Sequence, residues 1–372
     1  MHRVPFLDLR VQDPTARKRL LTAIDRVLQH GRLVLGPEVD AFEAAIAERI
    51  GCRHAVGVGS GSGALYLALR ALEIGPGDEV VTTAMSWVAT ANAITLTGAT
   101  PVFADVDDDL NLDAASVAEL VTDRTRALLP VHYNGRLCDM DALLQIARKH
   151  DLTVIEDAAQ AFGASDAAGR QAGSIGRLGC FSMNPMKVLA ACGEAGCVVT
   201  NDAQLAERLV SLRYNGLHER EDCRNPSVNG RLDTIQAAIL NERLTTIDDE
   251  LAQRRQLAQL YDHGLQQVSG VIATPRQDTS EQHAYYTYTI RAAQRDALQQ
   301  SLAAQGIETK IRHPLLMPAQ QAYCKTARGA WPRAARRVEE ILSLPMHCGL
   351  SRDDVAVVIA AIDNFYKEHG AQ

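Results

Sequence analysis

The stretch LGCFSMNPMKVLAACGEAGCVVT, residues 178–200, decides how this chain is read. It holds two short apolar runs, Leu178–Ser182 and Gly196–Thr200, with only a loop between them. In that loop sits Lys187, close to Phe181, Met183, Met186, Val188 and Leu189. Burial lowers an amine's pKa, because the charged form loses hydration. A neutral amine attacks carbonyls and forms a Schiff base. The competing reading is a lysine that snorkels to water from an apolar loop.

Upstream, five more runs have the same character: His54–Val58, Glu79–Thr83, Pro101–Asp105, Ala127–Val131 and Thr153–Asp157. Helical patterns at 62–73, 86–98, 113–123 and 138–150 separate most of them. Short apolar runs alternating with helices predict an α/β fold with a mostly parallel, seven-stranded sheet buried on both faces. Before the sheet, 14–30 and 37–50 read as amphipathic helices, the second with Pro37 in its first turn. After it, 202–214 is helical and 232–267 is a long helix broken near Thr245–Asp248. The C-terminal part predicts a strand at Ala284–Ile290, a helix at 294–304, a strand around Glu308–Ile311, and helices at 331–343 and 351–366. With 372 residues the chain exceeds the size of a single core, which predicts a large domain, 1–247, and a smaller α+β domain, 248–372.

Composition excludes several classes. The chain is 47% hydrophobic and 22% charged, with a net charge of -7 and no basic tract, which argues against a nucleic-acid surface. No apolar run is long enough to span a bilayer, and MHRVPFLDLR lacks a signal-peptide core. The eight cysteines never form a CxxC pair, so they read as reduced, mostly buried thiols of a cytoplasmic protein, with no metal.

Ligands of an open parallel sheet bind beyond the C-terminal strand ends. After the first run comes GVGSGSGAL, 57–65, opening a helix. Small residues and free N–H groups at a helix start suit a phosphate; the alternative is a turn in which Ser60 or Ser62 merely caps the helix. After the second run stands Trp87, able to stack on a planar ring or simply to fill a core. The fifth run ends in Glu156 and Asp157, which alternation sends to opposite faces. A buried carboxylate needs a partner, and a protonated ring nitrogen would serve; the alternative is a helix cap. Ser182 adds a hydroxyl five residues before Lys187. A phosphate nest, a ring platform, a carboxylate and a lysine together match the needs of pyridoxal 5'-phosphate.

At this point the sequence resembles the DegT/DnrJ/StrS-type sugar aminotransferases, within the fold-type-I pyridoxal-phosphate enzymes. The likeness runs through VPFLDL (4–9), LGPEVDAFE (35–43), SGSGALYLAL (60–69), SWVATANAI (86–94), PVHYNG (130–135), IEDAAQAFGA (155–164), FSMNPMK (181–187), NGRLDTIQAAI (229–239) and LSLPMHCGLS (342–351). The resemblance implies that Lys187 carries the cofactor, Asp157 pairs with its ring nitrogen, Gln160 meets its ring hydroxyl and Trp87 stacks on it. Gly61, Ser62 and Ser182 would hold the phosphate, joined by Asn229 from the neighbouring subunit of a homodimer. His313, Tyr214 and Arg231 would touch substrate, unless such histidines are only structural. The implied reaction moves an amino group from L-glutamate to a keto sugar, a nucleotide-linked 3- or 4-keto hexose, for the amino sugars of cell-surface polysaccharide or a secondary metabolite. A free keto or aldehydo sugar acid, such as an eight-carbon ulosonate, and a non-catalytic regulator that binds the cofactor are the alternatives. Ser62 and Trp87 depart from the usual Thr and Phe of the family, and Ala195 from a usual Gly.

Overall fold

The computed structural model describes residues 4–219, 221–276 and 278–370. Two helices open the chain, α1 (Pro14–His30) and α2 (Pro37–Ile50). Asp13 caps α1 by accepting from the N–H groups of Thr15 and Ala16, and Pro14 takes the first turn, where a missing N–H costs nothing. Then follow β1 (His54–Val58), α3 (Gly61–Ala71), β2 (Glu79–Thr83), α4 (Ala89–Leu96), β3 (Thr100–Ala104), α5 (Ala114–Leu120), β4 (Thr125–Leu129), α6 (Met140–His150), β5 (Thr153–Asp157), β6 (Leu178–Ser182), β7 (Gly196–Thr200) and α7 (Ala203–Leu212).

Strands β1 to β7 form one sheet in the order β1-β7-β6-β5-β4-β2-β3. Neighbours pair in parallel except around β7, which runs antiparallel to both β1 and β6. The reason lies in the connection. A parallel return needs a crossover, whereas the 183–195 loop folds straight back and pairs Ser182 with Gly196. The ends of β1, β5 and β6 and the start of β7 therefore lie along one edge of the sheet. Apolar clusters cover both faces, one built on Leu65, Leu69, Ile94, Leu129 and Ile155, the other on Leu128, Leu143, Ala147 and Val154.

A small hairpin, β8 (Leu217–His218) with β9 (Asp222–Cys223), leads to α8 (Thr234–Leu244) and α9 (Ile247–Leu265). The break between the two helices falls at Thr245 and Thr246, where the sequence predicts it. The remaining elements are β10 (Val271–Ala273), β11 (Tyr288–Ala292), α10 (Arg295–Ala304), α11 (Pro332–Glu340), β12 (Ile341–Leu344) and α12 (Arg352–His369). Strands β10, β11 and β12 form an antiparallel sheet. Its core is separate: Leu257, Tyr261, Leu298, Leu302, Val358, Ile362 and Phe365 pack there.

Three expectations for this C-terminal part are corrected. The strand expected at Ala284–Ile290 is Tyr288–Ala292, because 282–287 is tied instead to the loops that follow β4 and β5: Gln282 N donates to Ser165 O at 2.9 Å and Ala284 N to Gly135 O at 2.9 Å. The strand expected around Glu308–Ile311 reduces to a bridge of Lys310 with Ser343. The helix expected at 331–343 ends at Glu340, and the apolar Ile341–Leu344 pairs with β11 as a strand. The thiols also differ from expectation: Cys138, Cys180 and Cys197 are buried, whereas Cys192, Cys223 and Cys324 are exposed.

Candidate active site

The start of α3 is where the phosphate reading is tested. Ser60 caps the helix, its Oγ accepting from Gly63 N at 3.0 Å. That leaves the N–H groups of Gly61 and Ser62 without an acceptor among the described residues. The capping and phosphate readings are thus compatible, with Ser60 as cap and the next two amides free to bind an anion. Ser182, at the end of β6, lies directly against this turn. A Cβ on Gly61 would fall 2.9 Å from both Ser182 Cα and Ser182 Oγ, so only glycine permits the approach. Gly196 is equally constrained, since a Cβ there would stand 2.6 Å from Ser60 O.

At the end of β5, alternation sends two buried acids to different fates. Glu156 is fully buried; its Oε2 accepts from Gly173 N and pairs with His132 Nε2, both at 2.8 Å. Its Oε1 accepts from Ile175 N at 2.7 Å and from Gly176 N. Cys138 N donates to His132 Nδ1 at 3.2 Å, so the imidazole proton sits on Nε2 and is donated to Glu156. Asp157 has fewer partners: Thr90 Oγ1 donates to Oδ2 at 2.8 Å and Ala159 N to Oδ1 at 3.2 Å. Burial outweighs these donors and the nearby charge of Lys187, and holds the Asp157 carboxyl above its ordinary value. This acid makes no ion pair among the described residues.

Gln160 is buried, and its Oε1 accepts from Asn134 N at 3.0 Å, which leaves the NH₂ end of the amide as the donor. Asn134 reaches this position through a left-handed backbone, φ 58°, and its Oδ1 accepts from Thr287 Oγ1 at 2.5 Å. Trp87 does not fill a core: it is 63% exposed, its ring 6.0 Å from that of His313. Lys187 is half-buried rather than sealed in an apolar pocket, and its Nζ lies 4.5 Å from the centre of the Tyr286 ring.

Tyr286 is the residue sequence reasoning missed. It comes from the segment read as regular strand, and no local pattern distinguishes it. Arg312 Nη2 donates to its hydroxyl at 2.5 Å. Burial opposes ionisation of this phenol, but the charges of Lys187 and Arg312 prevail and hold it below its ordinary value. Tyr133 stands close by, buried, with no hydrogen-bond partner for its hydroxyl among the described residues. The ring of His313 lies 5.7 Å from that of Tyr133; its Nε2 is buried and has no hydrogen-bond partner among the described residues, and burial pushes the imidazole down to about 3. His132 and His347 are instead structural, the latter bonded through Nε2 to Pro5 O at 3.2 Å.

Tyr214, Asn229 and Arg231 form a patch of their own. Arg231 Nε donates to Asn229 Oδ1 at 2.8 Å, and its guanidinium carbon lies 4.5 Å over the Tyr214 ring. Their backbone runs beside the first turn, where Gly59 N donates to Gly230 O at 2.9 Å. No hydrogen bond or ring contact links the patch to Lys187 among the described residues.

Together these features fit pyridoxal phosphate. Two free amides and a hydroxyl await a phosphate, a buried acid awaits a cation, an amide donor is already oriented, and an aromatic face is open. Comparisons with known proteins point the same way. The profile of the DegT/DnrJ/EryC1/StrS aminotransferase family matches residues 14–363. A dTDP-3-amino-3,4,6-trideoxy-alpha-D-glucose transaminase of Streptomyces venezuelae is 42% identical over 97% of this chain and 95% of its own. A pleiotropic regulatory protein of Geobacillus stearothermophilus is 39% identical over 98% and 99%. The solved structure of S. venezuelae DesV in complex with a ketimine intermediate superposes with a TM-score of 0.94 at 41% identity, covering 98% of this chain and 99% of that one. Family profile, sequence identity and superposition agree over nearly the full length, and the chain belongs to the DegT/DnrJ/EryC1/StrS family of pyridoxal-phosphate-dependent aminotransferases.

Proposed function

We propose that the chain transfers the amino group of L-glutamate to a keto sugar carried on a nucleotide, at the 3- or 4-position of a deoxyhexose. The observation that carries this reading is the convergence of Lys187, the underpartnered Asp157 and the free α3 amides at one edge of the sheet. The sugar class is supported by the likeness to the transaminase of a dTDP-linked amino sugar.

In this reading Gly61, Ser62 and Ser182 hold the phosphate, Asp157 faces the ring nitrogen, Gln160 donates to the ring hydroxyl, and Trp87 covers one ring face. The cofactor, when bound, supplies an electron sink for the carbanion formed at the donor Cα. Lys187 Nζ would remove the Cα proton of the donor and later return a proton as the product forms. A cation facing Asp157 would favour its ionised form, and the ionised acid would in turn favour a protonated ring nitrogen. The Tyr286 ring, its centre 4.5 Å from Nζ, gives the amine a resting contact. One amine serves both halves of the reaction because only one substrate occupies the site at a time, which gives ping-pong kinetics.

The second subunit of a homodimer would bring Asn229, with Tyr214 and Arg231, to the phosphate side and the substrate side of its neighbour. Residues 1–247 would carry the cofactor, and 248–372 would close over the substrate. We place the enzyme in the cytoplasm, in amino-sugar synthesis for a surface polysaccharide or a secondary metabolite. The likeness to a protein named as a regulator keeps a sensing role as the second reading. One titration separates them. Purified protein should absorb near about 400 nm through its lysine-bound cofactor, and the band should fall on adding L-glutamate and return on adding the keto sugar. A band indifferent to L-glutamate would leave only the regulator.

A further inference from the structure

Arg312 is a half-buried guanidinium with no ion pair among the described residues; its recorded contacts are to the hydroxyl and ring of Tyr286. Its Cζ lies 5.1 Å from the Tyr286 ring centre, and Lys187 Nζ lies 4.5 Å from the same point. Two cations therefore share one phenol. Beside them the Tyr133 hydroxyl and His313 Nε2 are buried without hydrogen-bond partners among the described residues. Donors and positive charge converge here, and the anion is missing. A shielded guanidinium without a counter-charge is costly unless a ligand provides one. The phosphate is already provided for at the start of α3, so a second anion is required. Of the two substrates, the amino acid is the one that brings carboxylates to the reacting carbon. Its Cα must come to within a bond or two of the place held by Lys187 Nζ, and a group that shares the Tyr286 ring with that amine is within reach of its carboxyl.

We propose that Arg312 seats a carboxylate of the amino-acid donor, with the phenols of Tyr286 and Tyr133 beside it. The proposal rests on the aminotransferase reading of Lys187 and adds to it where the donor binds. The planar guanidinium offers a two-point fork that suits a carboxylate.

The test follows the decline of the 400 nm band against L-glutamate concentration, together with calorimetric binding of glutarate, a dicarboxylate that lacks the amine. In Arg312→Gln the half-saturating L-glutamate concentration should rise about 10- to 100-fold, and glutarate binding should weaken by a similar factor. Arg312→Lys, which keeps the charge and loses the fork, should fall between parent and Arg312→Gln. A normal band with unchanged half-saturation and unchanged glutarate affinity overturns the proposal. Should Arg312→Gln fail to take up cofactor, Arg312→Lys decides by the same two measurements. If the parent shows no band at all, the reading of Lys187 falls and takes this inference with it; a normal parent band with indifferent variants sinks the inference alone.

Discussion

Glu156 and Asp157 are neighbours on one strand, both carboxylates and both buried, yet they do opposite work. On one face of the sheet, Glu156 is saturated by three backbone amides and His132. On the other, Asp157 has two donors and a carboxyl held above its ordinary value. The contrast teaches that a buried acid becomes structural or functional according to whether the protein itself satisfies it. A saturated acid locks loop 173–176 onto the strand; an unsatisfied one stores a demand that a bound cation meets.

The largest expected effect tests the functional face directly. Lys187→Ala should lower amine transfer by at least about 10³-fold, with the 400 nm band lost and the folded structure intact by circular dichroism. Turnover of the keto sugar at the parent rate would break the account. Next comes Asp157→Asn, which should reduce turnover about 10²-fold or more, since a neutral amide cannot stabilise a ring cation. In cofactor-free protein the sign reverses. A carboxyl whose folded value is raised binds its proton more tightly in the folded state, so stability is highest below the ordinary carboxylate range and declines as pH rises through the raised value. Cofactor-free Asp157→Asn should therefore lose this decline and be no less stable than the parent at neutral pH, as urea unfolding across pH would measure.

Glu156→Gln sharpens the comparison from the other side. Its NH₂ group would face two N–H donors in a dry site, which should cost about 3 kcal/mol of folding stability. A variant as stable as the parent would mean that the four donors do not need the charge. Gly61→Ala should cost no more folding stability than Glu156→Gln, about 1–3 kcal/mol, and should weaken cofactor retention by pushing Ser182 away from the α3 amides. Dialysis followed by absorbance reads that loss. An unchanged retention would show that the close approach of Ser182 has no bearing on the phosphate.

Much of this was legible in the chain. The seven apolar runs, the Gly-Ser turn opening α3, and the lysine loop between β6 and β7 all carry local patterns that survive folding. Strand alternation even announced that Glu156 and Asp157 face apart. It could not say which face holds the site, because that depends on loop 173–176 and on Thr90, both remote in sequence. Trp87 was likewise open to two readings, and its exposure decided between them. Tyr286 and Arg312 left no mark. Tyr286 belongs to a segment pulled out of strand geometry by Ser165 and Gly135, with Tyr285 at φ 48°. Arg312 follows a strand that shrank to a single bridge, and the next residue, His313, is at φ 55°.

What the sequence determined alone was periodicity and chemistry at neighbouring positions: which runs are strands, where a helix start offers free amides, and which lysine sits in an apolar loop. These follow from forces acting over a few residues. Only the tertiary structure decided which acid is left unsatisfied, and which phenol and guanidinium stand beside the amine. Those are balances of burial and partnership between segments that only folding brings together, and no local pattern encodes them.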